Sequence, residues 1–232
     1  METILRRLAA VGAFFDLPAT PDPPGPGFRP LTELYGDGLA AYVAHVGRRL
    51  GTDDARVAAS TAHLGLASRL WSPALGSVTL AGRVPDLAPD RVRWRLPEGG
   101  SLQLWLPRPR ALPAGALART VLDDNLHQLD EAVRARFALS PQVLRGNAAS
   151  ALVGALRVLL DRLPRPPYPP VPLVAELLGG GGALAGTGTF VHEEGLGVAF
   201  VRHSCCLYYR VDPGGGLCGD CVLRTRPQRA RR

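Results

Sequence analysis

Four cysteines, all held between Cys205 and Cys221 of a 232-residue chain, constrain its folding more than any other feature. Cys205-Cys206 is followed, eleven residues on, by Cys218-Gly219-Asp220-Cys221. Thiolates are soft ligands, and a set of four suits zinc or an iron–sulfur cluster. Gly214, Gly215 and Gly216 let the backbone fold the second pair onto the first, and Gly219 relieves crowding between Cys218 and Cys221. Structural zinc usually draws on cysteines spaced two to four residues apart, because neighbouring side chains on extended backbone point to opposite sides. Adjacent cysteines suit a two-iron cluster more readily, since they need not bind the same iron. The residues therefore favour iron–sulfur and leave open a zinc staple in a binding protein. Thioredoxin-like redox chemistry is disfavoured, because its Cys-x-x-Cys belongs after a strand and at a helix start rather than after three glycines, and disulfide pairing is disfavoured because the start of the chain does not read as an export signal. Glu2 precedes its arginines, and Asp16-Leu17-Pro18 stands where a small-residue cleavage site would be. An amphipathic first helix and a cytoplasmic protein are expected.

Composition removes several enzyme classes. All 27 basic residues are arginine. Without lysine there is no Walker A loop, no kinase-type phosphate lysine and no Schiff-base lysine. The glycines from Gly179 to Gly182 and Gly186-Thr187-Gly188 are thus no ATP loop; they break the dinucleotide pattern too and read as a flexible hinge. Hydrophobic residues make up 46% and charged ones 20%, enough apolar surface for a globular fold. No run is read as a membrane span. Seven arginines against Asp212 and Asp220 give residues 202–232 a net charge of +5, so the basic character sits in the tail.

Along the chain, 31–50 and 53–71 carry helical periodicity, the second opening at Thr52-Asp53-Asp54 and stopping before Pro73. Val57, Thr61, Leu64, Ala67 and Trp71, with Ala58, Ala59, Ala62 and Gly65 between them, predict a close-packed internal helix. Between Arg91 and Leu106 the period changes to two around Pro97-Glu98-Gly99-Gly100, the pattern of an antiparallel hairpin. Helical stripes return over 114–137 and again after Ser140-Pro141, where Leu144, Ala148, Leu152, Leu156, Leu159 and Leu163 form one face. Residues 164–172 read as a stiff proline-rich connector, a short helix follows, and Val198 to Val201 lead as a strand into the cysteines. The fold class expected is α+β: one mainly helical domain over 1–195 with a small antiparallel sheet, then a cysteine-rich segment with a basic tail over 196–232.

Cys205-Cys206-Leu207-Tyr208-Tyr209 and Leu217-Cys218-Gly219-Asp220-Cys221 resemble the C-terminal motif of the FhuF-type ferric siderophore reductases. Ala58-Ala59-Ser60, Arg69-Leu70-Trp71-Ser72-Pro73 and Gly146-Asn147-Ala148-Ala149 look like further segments of that family, although Arg145 stands where a tryptophan is usual. The resemblance implies a [2Fe–2S] cluster held by Cys205, Cys206, Cys218 and Cys221. It implies one-electron reduction of a ferric siderophore, with an external donor such as a ferredoxin or a reductase. The chemistry is coherent: hard oxygen donors hold Fe(III) far better than Fe(II), so one electron releases the iron. Arg202 and Arg210 would offset the negative charge of such a cluster. The alternatives are a zinc-stapled protein, or a cluster that is only structural in siderophore handling or biosynthesis.

Other polar groups read more plainly. His203 is expected to be solvated or hydrogen-bonded rather than a ligand. Asp123, Asp124, His127, Asp130 and Glu131 lack the second Glu-x-x-His of a di-iron carboxylate site and read as a solvated face. Arg224, Arg226, Arg229, Arg231 and Arg232 lack interleaved aromatics, so no nucleic-acid partner is expected, whereas peripheral contact with anionic lipid stays open. Trp71 is assigned to the core; Trp94, Trp105 and Arg69 are left between core and ligand groove.

Overall fold

The computed structural model describes residues 1–193, 195, 197–211 and 216–225. Two long helices form its axis, α4 (Ala55–Ala81) and α6 (Pro141–Arg162). Asp54 starts α4 because its carboxylate accepts the Arg56 and Val57 N–H groups at 3.0 and 3.3 Å, a cap worth about 1 kcal/mol. Gly82 ends it at φ +62°, a left-handed turn suited to glycine. The expected stop before Pro73 is not found. Leu70, Trp71, Ala74, Leu75 and Val78 are all buried, and packing of this kind, at roughly 1.5–3 kcal/mol per large side chain, offsets the hydrogen bond that Pro73 removes.

Around this pair pack α1 (Glu2–Ala9), α2 (Leu31–Tyr35), α3 (Gly38–Leu50), α5 (His127–Phe137) and α7 (Pro170–Leu178). The expected first helix is present, and turns carry the chain on to the buried Phe15 and Leu17. The stripe read over 31–50 divides at Gly36-Asp37 into α2 and α3. The stripe over 114–137 also divides: residues Arg119–Leu126 form a π-helical segment before α5. Asn125 holds the widened turn open, donating to the Thr120 and Leu87 carbonyls at 2.8 Å each while accepting from the Tyr35 hydroxyl at 2.7 Å. Helix α6 begins as expected, with Ser140 Oγ accepting the Val143 N–H and Pro141 in the first turn. It is long and apolar enough to cross a membrane, unlike the expectation from sequence, but 72% of its most apolar window is buried inside the fold. The proline connector is shorter than read, because Pro170 to Pro172 already belong to the first turn of α7.

The sheets are small and antiparallel. Strand β1 (Arg29–Pro30) pairs with β3 (Arg93–Arg95), and β3 with β4 (Gln103–Trp105), in the register Trp94↔Leu104. Strand β2 (Arg83–Pro85) pairs with β5 (Ala111–Pro113). The third sheet, a hairpin of β6 (Gly188–Glu193) with β7 (Gly197–Arg202), delivers the chain to the cysteines. Its two strands lie on either side of the boundary expected at 195/196. The glycine-rich run before it is a hydrogen-bonded series of turns against α7 rather than an open hinge, with Leu184 N–H on the Leu177 carbonyl at 2.9 Å. Trp71 and Trp94 are core residues; Trp105 is nearly buried and its Nε1–H donates to the Thr20 carbonyl at 2.8 Å. The α+β class, mainly helical with small antiparallel sheets, is the observed one.

Candidate metal centre

Strand β7 ends at Arg202, where backbone and side chain begin to organise the cysteine segment. The Arg202 N–H donates to the Asp220 carbonyl at 3.0 Å, so the end of the strand is tied directly to the Cys218-Gly219-Asp220-Cys221 loop. The Arg202 guanidinium is 1% exposed and donates to two carbonyls, Ser204 at 3.0 Å and Val143 at 3.2 Å. Among the described residues it makes no ion pair. Gly146 makes room for it: a Cβ there would meet the Ser204 hydroxyl and lie 2.8 Å from an Arg202 nitrogen. Ser204 in turn donates to the Gln142 carbonyl at 2.8 Å. The first turns of α6 are therefore the wall against which the segment after β7 is laid.

A second anchor reaches the Cys205-Cys206 pair from α4. Asn147 on α6 donates to the Ser60 carbonyl and hydroxyl at 2.9 and 3.1 Å, and the Ser60 hydroxyl donates to the Cys206 carbonyl at 2.8 Å. Both side chains are buried, so this relay fixes the backbone of the cysteine pair from the inside. Leu207 then takes φ +69°, a left-handed conformation that costs a non-glycine residue about 1 kcal/mol and turns the chain sharply after the pair. Its N–H points at Cys205 Sγ at 3.4 Å, and the Leu223 N–H points at Cys221 Sγ at the same distance. Asp220 is held by Arg157 of α6, Nη1 to Oδ1 at 2.7 Å, and Arg210 pairs with Asp54 at 3.0 Å.

None of the four cysteines is in a disulfide. Cys206 and Cys221 are buried and Cys205 and Cys218 are half-exposed, so one side of the segment faces the fold and the other faces water. Cys206 is pushed down to about 6 by the neighbouring Cys218 thiol as donor, with the Tyr208 N–H and the nearby Arg202 charge, against the opposing effect of burial. Donating that proton, together with burial, pushes Cys218 up. Burial also pushes Cys205 up, partly offset by the Leu207 N–H. Burial works against the charge of Arg202, and the cysteines and Asp220 work in its favour. Among the described residues no three Cys, His, Asp or Glu side chains gather about one point as a single metal ion would require.

Residues 202–223 match the FhuF 2Fe-2S C-terminal domain. The chain therefore carries a [2Fe–2S] cluster as its cofactor. The FhuF 2Fe-2S domain begins at Arg202, the residue that joins strand to cysteine loop, and takes in both cysteine pairs. The residues present fit such a group: four reduced thiols in two pairs, backbone N–H groups directed at two of the sulfurs, and a buried cation beside them. Two irons share the donors, so convergence on a single point is not needed. No curated protein matches the chain.

Other polar residues singled out in the sequence fall away from the cysteines or take minor roles. His203 places Nδ1 3.0 Å from the Gly186 carbonyl and Nε2 3.3 Å from the Thr189 hydroxyl. The acidic face read across the π-helical segment and α5 divides. Asp124 pairs with Arg119 and Glu131 with His127, whereas Asp130 turns inward to His63 at 2.7 Å. Arg145 donates to the Ala183 and Ala185 carbonyls. Gly214, Gly215, Asp212, Arg226, Arg229, Arg231 and Arg232 lie outside the described residues. Sequence reasoning missed Ser60 and Asn147 as the anchor of Cys206, Gly146 as the space for Arg202, and Arg157 as the partner of Asp220. The first three lie within Ala58-Ala59-Ser60 and Gly146-Asn147-Ala148-Ala149, so the signal was present without a contact to explain it.

Proposed function

We propose that this protein is a one-electron reductase of ferric chelates, with Cys205, Cys206, Cys218 and Cys221 as the cluster ligands. The observation that carries the reading is the buried Arg202 guanidinium. It has only neutral hydrogen-bond partners among the described residues, within a segment matching a 2Fe-2S domain. Burying a cation is costly, and four thiolates sharing two irons would add to the favourable charge that the cysteines and Asp220 already set beside it.

A [2Fe–2S] group bound there supplies electrons one at a time. The chain supplies the rest. Arg202 favours the more negative, reduced state by its fixed charge. Asn147, Ser60 and Arg157 hold the two cysteine pairs from the buried side. Cys205 and Cys218 face water, the side from which a donor and a ferric chelate would exchange electrons with the centre. The sequence carries no dinucleotide fingerprint, so the donor is an external ferredoxin or reductase. Ferric siderophores are the substrates this reading favours, since hard oxygen donors lose their grip on iron once it is Fe(II). Release of iron in the cytoplasm is part of the same proposal.

The test is anaerobic purification of the full chain, an absorption spectrum, and an EPR spectrum after dithionite reduction. Reduction of ferric chelates is then followed by trapping Fe(II). Thiolate-to-iron bands, a spin-half signal and Fe(II) release that fails in Cys218→Ser support the proposal. Full turnover in Cys218→Ser overturns it. A brown protein that binds ferric chelates without reducing them leaves the cluster structural.

A further inference from the structure

We infer that the groove between α3, α4 and the hairpin edge at 101–104 is a docking site for an anionic metal chelate. The inference rests on the reading above for what the chelate carries, and on the following geometry for where it binds.

Two cavities of 290 and 400 Å³ meet at Arg69, and both are lined by Arg69, Ser101 and Leu102. Each is close to the size of a small-molecule site. The first also holds Arg49 and His45, the second Arg95 and Asp16. Three guanidinium groups thus face one carboxylate. Among the described residues none of the three is in an ion pair, although the Asp16 carboxylate favours the charge of Arg69; the hydrogen-bond partners of Arg49 and Arg95 are neutral. Arg49 donates to the Gly100 carbonyl at 2.8 Å and the Ser101 hydroxyl at 2.9 Å. Arg95 donates to Gln103 at 2.6 Å and the Pro26 carbonyl at 3.1 Å. His45 donates to the same Gly100 carbonyl at 2.8 Å, which helps to fix the rim.

Arg69 is the odd member. It is half-buried, lies 5.1 Å from the Phe14 ring, and among the described residues has no hydrogen-bond acceptor for any of its five N–H donors. A partly desolvated planar cation at the junction of two cavities, with Arg49 and Arg95 on either side, matches carboxylate or catecholate oxygens that are themselves anionic. It disfavours a cationic chelate. The groove runs along α4, the helix whose Ser60 holds the Cys206 carbonyl and whose Thr61 lines the first cavity. Arg69 stands eight residues further along α4, about 12 Å at 1.5 Å per residue.

Gallium(III) cannot be reduced under these conditions, so its citrate complex tests docking apart from electron transfer. Calorimetric titration of the full-length, cluster-loaded protein with gallium citrate is expected to show binding that weakens with added salt. Arg69→Gln and, separately, Arg49→Gln should each weaken it about tenfold or more with unchanged melting temperature, the loss expected for a charge-assisted contact. Arg49 lies at the solvent rim and serves if Arg69→Gln fails to fold. Absence of binding, binding indifferent to both substitutions, or equally tight arginine-independent binding of a cationic gallium trihydroxamate overturns the assignment. Ferric citrate reduced normally by both variants also sinks the docking site and leaves the reductase reading standing. Arginine-dependent gallium binding without ferric reduction does the reverse.

Discussion

Arg157 and Asp220 meet at 2.7 Å across the boundary between α6 and the Cys218-Gly219-Asp220-Cys221 loop, a contact between a residue of the structural axis and one enclosed by two cysteines. Asp220 is nearly buried and Arg157 about one-third exposed. Arg157→Met leaves the carboxylate without its partner, and because the pair is partly screened the cost should be about 1–2 kcal/mol. A thermal melt should register that loss. Iron content after gel filtration should fall, whereas an exposed pair such as Arg162 with Asp161 should be silent to Arg162→Met in both measurements.

Arg202→Met separates charge from packing. In the cluster-loaded protein the reduced state loses a nearby cation, so the midpoint potential should move to more negative values by tens of millivolts, with about 59 mV corresponding to tenfold in a one-electron equilibrium. In the cluster-free chain the same substitution removes a buried charge but also the cation beside Cys206 and the donor to the Ser204 and Val143 carbonyls, so the melting temperature should fall less than in the cluster-loaded protein. Equal destabilisation of both forms with no shift in potential would make Arg202 a packing residue only.

Two glycines on α6 give an internal control. Gly146→Ala places a methyl group against Ser204 and Arg202 and should cost roughly 1–3 kcal/mol as an overpacked contact, with loss of iron. Gly154→Ala meets nothing within 4 Å and should be neutral or stabilising by up to about 1 kcal/mol through helix propensity. Urea melts of both variants and their iron contents provide the comparison.

The cluster-free chain should show an unusual pH dependence. Cys206 is held down at about 6, mainly by the Cys218 thiol, so its thiolate favours the fold above the ordinary cysteine range and that contribution fades as pH falls towards about 6. Cys218 is pushed up, so the unfolded chain ionises it first and stability should drop again at alkaline pH. Stability measured by urea melts should rise between about pH 6 and 9 and decline beyond. Cys206→Ser should flatten the rising limb, and a profile unchanged by that substitution would contradict the Cys206–Cys218 contact.

The relay from Asn147 through Ser60 to Cys206 predicts that Ser60→Ala costs about 1 kcal/mol and hastens cluster loss, because the Cys206 carbonyl loses its buried donor. Asn147→Ala should be worse, since it removes both bonds to Ser60. The decay of visible absorbance in air, compared with wild type, measures the effect.

The sequence by itself determined the elements whose causes are local. Ser140-Pro141 starts α6, alternation about Pro97 to Gly100 makes the β3–β4 hairpin, and two cysteine pairs confined to one short segment announce a metal centre, iron–sulfur before zinc. It also set the helical class, because long stripes of small and apolar residues have few other ways to bury themselves. Tertiary structure decided what depends on neighbours far along the chain. Pro73 does not end α4, because the packing around Trp71 and Leu75 outweighs one missing hydrogen bond. The stripe at 119–126 widens into a π-helix because Asn125 finds Tyr35 and Leu87. The sequence offered Arg202 only as one of several arginines that would offset a cluster's charge; its burial appears once Gly146 and the Val143 carbonyl enclose it. Arg69 gains its meaning only beside Arg49 and Arg95, which strands and helices of separate sequence origin bring to one groove. Periodicity reports which face of an element is buried; which charge is left without a partner is decided by contacts that only the folded chain creates.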